Sequence, residues 1–322
     1  MKHLPMKNLL VATTVTAGVW LATPAWATPF VFSTNSPDGL LGALSQPAST
    51  SHLETETADD FILTETTFIT GATITGLLIP SGTSLPVISN VEVEVYHVFP
   101  TDSDVSRTSG VSPFPTSKVP ARLNSPADVE IDDATRDGSA GTLDFTATLL
   151  NASFMVKNTV VDGINPKPNQ TTQGEGPATG EEVAINITFT PAISLPDGHY
   201  FFRPEVEVTG GDFLYLSAPK PIVAPGTPLT TDLQAWIRNS KLAPDWLRIG
   251  TDIIGGSPAP TFNMTFSLTG TTFSGTPGQA NCHGKTVSGL AVELGGFNAA
   301  ASALGFPSVQ ALQDAITAFC EQ

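Results

Sequence analysis

Val91-Glu92-Val93-Glu94-Val95-Tyr96-His97-Val98 alternates apolar and polar side chains along its length. In an extended chain successive side chains point to opposite faces, so the odd-numbered valines share one face and the acids the other. The stretch therefore reads as a strand with one buried and one wet face. Related patterns recur at Phe68 to Leu78, Leu143 to Leu149, Val183 to Phe189, Tyr200 to Val208 and Phe262 to Leu268. No amphipathic helical stretch separates them before Cys282, which argues against parallel βαβ units and for antiparallel sheets packed face to face. The expected fold class is mainly β: an antiparallel β-sandwich of jelly-roll or immunoglobulin-like type, with a small α-helical C-terminal module. The 27 prolines and 28 glycines fit many short strands joined by turns.

Outward from the strands lie two long irregular tracts, Pro100 to Thr142 and Asp162 to Gly180, rich in turn-forming residues. Loops of this length are commonly functional or disordered. A third segment, Ala218 to Pro228, holds four prolines and should run extended.

After Ser274 the composition turns to Ala, Gly and Leu, and helical signals begin. Thr286 to Leu294 reads as a helix stopped by Gly295. Asn298 can cap Ala299 to Leu304, stopped by Gly305, and Pro307 can open a last helix running to Phe319. Val309, Leu312, Ile316 and Phe319 recur at spacings of three and four, giving that helix an apolar face. The only two cysteines, Cys282 and Cys320, flank this segment and are expected to pair. Closing such a loop is worth ~4 kcal/mol in the chain-entropy account, enough to hold a short module together.

At the other end, Lys2, His3 and Lys7 precede an uncharged run from Leu9 to Ala22, followed by Ala25-Trp26-Ala27. A positive start, a short apolar run and a small-residue site are the parts of a signal peptide, expected to span 1–27 with Thr28 as the new N-terminus. The apolar run is too short to span a bilayer. The expected organisation is thus 1–27 leader, 28–274 β domain and 275–322 helical module, in a secreted or periplasmic protein. Without the leader the balance becomes 12 basic against 30 acidic residues, with no cluster of cations. Nucleic acid and anionic membrane surfaces are disfavoured as partners. An extracellular ligand or cell-surface component is the expected partner class, with no membrane span after cleavage.

The chemistry is harder to find. Gly-x-Ser-x-Gly, His-Glu-x-x-His, the phosphate-binding Gly-rich loop and the dinucleotide fingerprint are all missing from the sequence. His52, His97, His199 and His283 are isolated from one another and form no zinc pattern, and for His97 and His199, beside Tyr96 and Tyr200, a hydrogen-bonded or exposed strand position is the better reading. Asp128, Glu130, Asp132, Asp133 and Asp137, with Gly138 after them, form the densest acidic loop. Calcium seeks six to eight oxygens, so these five are the candidate ligands, although their spacing departs from the Asp-x-Asp-x-Asp-Gly pattern. The bland alternative is a solvated acidic loop. Asp102 and Asp104 form a weaker second candidate. Trp236 and Trp246 are the remaining tryptophans and read as core residues.

Several stretches resemble a group of uncharacterised bacterial exported proteins, many of which carry a PEP-CTERM sorting tail. They are Ala58-Asp59-Asp60-Phe61, Glu94 to Pro100, Gly163 to Gln170 and Pro244 to Asp252, spanning roughly Ala58 to Gly270. The resemblance implies export and brings no catalytic residue with it. At its end this sequence departs from that group, with no Pro-Glu-Pro element, no terminal apolar run and no closing basic cluster. A released or periplasmic protein is therefore expected rather than a membrane-sorted one. The expected function is a non-enzymatic binding or surface-structural β-sandwich. The rival is a carbohydrate-active enzyme or calcium-dependent lectin, which would place two carboxylates roughly 5–10 Å apart in a groove beside Trp236 or Trp246.

Overall fold

The computed structural model describes residues 29–83, 85–107, 119, 121–164, 171–219 and 232–321. The expected leader, 1–27, lies outside them, as do 165–170 of the Gly163 to Gln170 stretch and most of the proline-rich segment after Ala218. The strands are β1 (Pro29–Ser33), β2 (Leu41–Leu44), β3 (Thr55–Leu63), β4 (Thr67–Pro80), β5 (Val87–His97), β6 (Arg136–Asp137), β7 (Leu143–Val156) and β8 (Asn158–Val160). They continue as β9 (Ala178–Leu195), β10 (Gly198–Thr209), β11 (Gly211–Ala218), β12 (Trp236–Asn239), β13 (Leu247–Arg248), β14 (Asn263–Met264) and β15 (Phe266–Thr272). Three helices follow, α1 (Cys282–Glu293), α2 (Phe297–Ala303) and α3 (Val309–Cys320).

The strands form a nine-stranded and a six-stranded sheet. Long β4 is the spine of the larger one: β9 pairs along one edge, while the other edge pairs first with β15 and then with β11. β1 adds to β15, β2 and β8 extend from β11, and β7 pairs with β9. The smaller sheet runs β13-β12-β3-β10-β5-β6. Pairing is antiparallel except for β2 with β8.

Residues from the facing sides of both sheets, among them Phe61, Ile74, Val93, Ile185, Phe202 and Phe213, form one shared apolar core. The architecture is the expected sandwich, mainly β with a small helical C-terminal segment. The sheets are stitched together where the chain passes from β2 to β3. Ser45 Oγ donates to the Pro204 carbonyl on β10 and accepts from the Thr57 amide on β3.

In β5 the valines behave as expected, Val91 and Val93 being fully buried and Val95 nearly so. The opposite face is not wet. Glu94 and Tyr96 are buried too, because the chain around 121–134 and the segment leading to Trp246 fold over the outside of the six-stranded sheet. Alternation reports which residues share a face, and it is silent on what later covers that face.

The helices pack on one end of the nine-stranded sheet through Phe68, Ala192 and Phe273. Their seam is the expected one, with Leu312, Ile316 and Phe319 buried and Phe319 stacked on Phe273 at 4.2 Å. The helix starts differ. α1 begins at Cys282 rather than Thr286, and α2 begins at Phe297 with Gly296 as its cap, so Asn298 lies inside the helix. Ser308, not Pro307, opens α3, its hydroxyl accepting the Ala311 amide. Gly295 and Gly305 do end their helices in the left-handed region that glycine tolerates, at φ 77° and 72°. Cys282 and Cys320 are disulfide-bonded, with Cα atoms 5.7 Å apart.

Candidate functional site

The covered face of the six-stranded sheet gathers most of the buried charge. Cross-strand pairing sets Arg203 of β10 opposite Glu94 of β5, and Glu205 opposite Glu92. β3 contributes Glu56 and β12 contributes Arg238, which lie opposite each other in their own register. Arg203, only 2% exposed, reaches Glu94 at 3.0 Å, Glu205 at 3.4 Å, Glu92 at 3.5 Å and Glu56 at 3.7 Å. Arg238 pairs with Glu56 at 2.6 Å and donates to the Tyr96 hydroxyl, which in turn donates to Glu94. The Arg238 guanidinium also lies 4.3 Å from the Trp246 ring centre.

Four carboxylates thus share two guanidinium groups in a layer mostly removed from water. Burial lifts Glu94 to about 7, although Arg203 and the Tyr96 hydroxyl pull the other way. It lifts Glu205 to about 8 against the charge of Arg203, with Glu92, Glu56 and Glu54 adding to the rise. Charged forms are disfavoured where solvent is excluded and where like charges crowd. Glu94 titrates where a general acid would, yet it is covered by Tyr96 and Arg203. Trp236 and Trp246 are buried at 1% and 2% exposure, so neither offers a ring for a sugar to stack on.

The five carboxylates expected to bind calcium are drawn into separate tasks. Asp128 is buried and ion-paired to Arg122 and Arg107, whose guanidinium groups supply the positive charge a cation would bring. Burial would raise the Asp137 carboxyl, but hydrogen bonds from Ser139 and Asn90 hold it below its ordinary value. Asp132 and Asp133 stand exposed on a short 3-10 turn, and Glu130 is half-buried beside them. Among the described residues no group of three or more His, Cys, Asp or Glu side chains is arranged to hold a metal ion. Of the weaker pair, Asp102 accepts from His97 at 2.5 Å, and Asp104 closes a turn on Ser106.

The histidines of the β region each meet an aspartate, which sequence spacing could not reveal. His199 bonds Asp60 at 2.5 Å across β10 and β3, and His52 bonds Asp162 at 3.0 Å. Asp60 and its neighbour Asp59 are buried, accepting the Leu233 and Met264 amides from opposite faces of β3. The Ala58 to Phe61 stretch is therefore a central strand whose acids anchor neighbouring loops.

The opposite sheet carries a different surface. A hollow of about 390 Å³ lies on the outer face of the nine-stranded sheet, lined by Ser33, Asn35, Thr73, Glu182, Ser267 and Leu150 among others. A second hollow, about 400 Å³, runs along the seam between sandwich and helices beside Glu65, Asp197 and Phe319. Sequence reading missed both, because their residues come from strands far apart in the chain.

No protein-family model, curated protein or solved structure matches this chain. Its chemistry has to be read from these surfaces alone.

Proposed function

We propose that this is an exported, non-enzymatic β-sandwich protein, secreted or periplasmic, that recognises an extracellular ligand or cell-surface component. The observation that carries the reading is the fate of the reactive side chains. Glu94, Glu205, Asp60, His199, Trp236 and Trp246 are paired or packed inside, whereas the hollow on the nine-stranded sheet is lined mainly by hydroxyl and amide groups. Concave polar surfaces with a few convergent groups suit recognition. Export is supported by the disulfide, which persists in oxidising compartments.

The test is to express the full chain with a C-terminal tag in a bacterial host, fractionate the cells and sequence the N-terminus of the product. The expected outcome is a periplasmic or released protein beginning at Thr28 that sediments with isolated cell envelopes or their polysaccharide. An unprocessed cytoplasmic product, or turnover of glycoside substrates by the purified protein, would overturn the reading.

A further inference from the structure

We infer that the hollow on the outer face of the nine-stranded sheet binds a neutral saccharide unit, an inference that rests on the recognition role proposed above. Its floor is a row of hydroxyls in register. Ser33 of β1 lies opposite Ser267 of β15, and Ser267 opposite Thr73 of β4. Adjacent strands are ~4.8 Å apart, so three hydroxyls are presented at a regular interval on a stiff support. Thr73 donates to Asn186 Oδ1 at 3.0 Å, which leaves its oxygen lone pairs to accept from a ligand. Ser33 Oγ accepts the Asn35 amide at 3.1 Å, which leaves its own proton to donate. Asn35 is held in the left-handed region at φ 72° and stands exposed at the rim.

The ligand class follows from what these groups can recognise. Hydroxyls that both donate and accept match a partner that does the same, and a sugar hydroxyl is such a partner. Among the described residues Glu182 is the only charged one in the lining, and its carboxylate can accept from two ligand hydroxyls. With a carboxylate and no cation there, phosphorylated, sulfated or uronic sugars are repelled. Leu150, 53% exposed at the edge, offers an apolar contact for the C–H face of a pyranose ring. The volume lies at the small end of ligand sites, which run ~300–1,000 Å³. Burial holds the Glu182 carboxyl above its ordinary value, in line with its partly enclosed position.

The experiment uses the full mature chain and two variants. Ser33→Trp fills the hollow from an exposed edge strand, and Glu182→Gln removes the carboxylate while keeping its shape. Each protein is applied to an array of neutral oligosaccharides and titrated by ligand-observed NMR with glucose, mannose, galactose and N-acetylglucosamine, with spermidine as a cationic control. Binding of at least one neutral sugar, weakened at least tenfold in both variants with unchanged melting temperatures, is the expected result. Sugar binding that survives both variants would overturn the inference, as would binding of spermidine alone. If no sugar binds but the protein still binds cell envelopes, the saccharide assignment falls and the recognition role stands. If neither binds, both fall.

Discussion

Arg203 sits at the centre of the buried charge cluster, ion-paired to Glu56, Glu92, Glu94 and Glu205. Two of its guanidinium nitrogens, Nε and Nη1, make no directed hydrogen bond, and four glutamates lie within 3.7 Å of the group. Removing one member of a buried ion cluster strands the others, at a cost of ~3–5 kcal/mol. Arg203→Met should therefore lower stability by that amount in a urea titration, and a loss below ~1 kcal/mol would mean that water already reaches the cluster. The pH dependence has a definite sign. Glu94 and Glu205 start from an ordinary value of 4.5 and lie at about 7 and about 8 in the folded chain. Between those limits the folded state keeps protons that the unfolded state has released, so this contribution is complete below about pH 4.5 and is lost as pH rises through 7 and 8. The melting temperature should fall by several degrees from mildly acid to mildly alkaline buffer. Glu205→Gln, which imitates the protonated group, should flatten that fall, and an unchanged slope would remove Glu205 from the account.

At the level of elements, the helical module and strand β7 show two ways of staying folded. The helices are short, and isolated helices of this length are marginal in water. The disulfide and the Phe319–Phe273 stack supply what propensity lacks. Replacing both Cys282 and Cys320 by Ser should cost the module ~2–4 kcal/mol. Hydrogen exchange should then accelerate across α1 to α3 while the sheets keep their protection, and uniform acceleration would mean that module and sandwich unfold together. β7 has the opposite problem. Among the described residues it pairs with β9 alone, and it exposes Leu149 and Met155 at 55% and 59% on a proline-free strand. Such edges invite pairing between molecules unless a bulge or charge blunts them. Its register shifts after Leu149 and Asn151 are the blunting device here. Leu149→Lys should raise the concentration at which light scattering first detects aggregates, with little change in melting temperature. Both elements were legible in outline, because alternation marks strands, and cysteines flanking Gly-broken apolar repeats mark a stapled module. The cover over the Glu94 face was not legible, since the chain around 121–134 and Trp246, which fold over it, lie more than 20 positions away and carry no periodic signal. Nor could spacing disclose that Asp128 had already been claimed by Arg107 and Arg122.

For the molecule as a whole, the acidic balance is partly internalised rather than displayed. This bears on calcium, because the loop that looked most like a site spends Asp128 on arginine and Asp137 on its own turn. Adding calcium at ~1 mM, the range in which extracellular modules bind it, should leave the melting temperature unchanged. A rise that EDTA reverses would restore the calcium reading. One feature of the larger sheet also governs how the chain can reach its fold. β1 lies against β15, and just past β1 the Thr34 hydroxyl binds the Phe266 carbonyl across 232 residues of sequence. At ~5–20 residues per second, roughly 10–50 s of synthesis separate the appearance of the two segments. For that interval the first strand waits without its ladder partner, and the spine strand β4 waits with part of one edge open. The sheet closes last where it began, so the growing chain depends on whatever shelters those early strands until its final third is made.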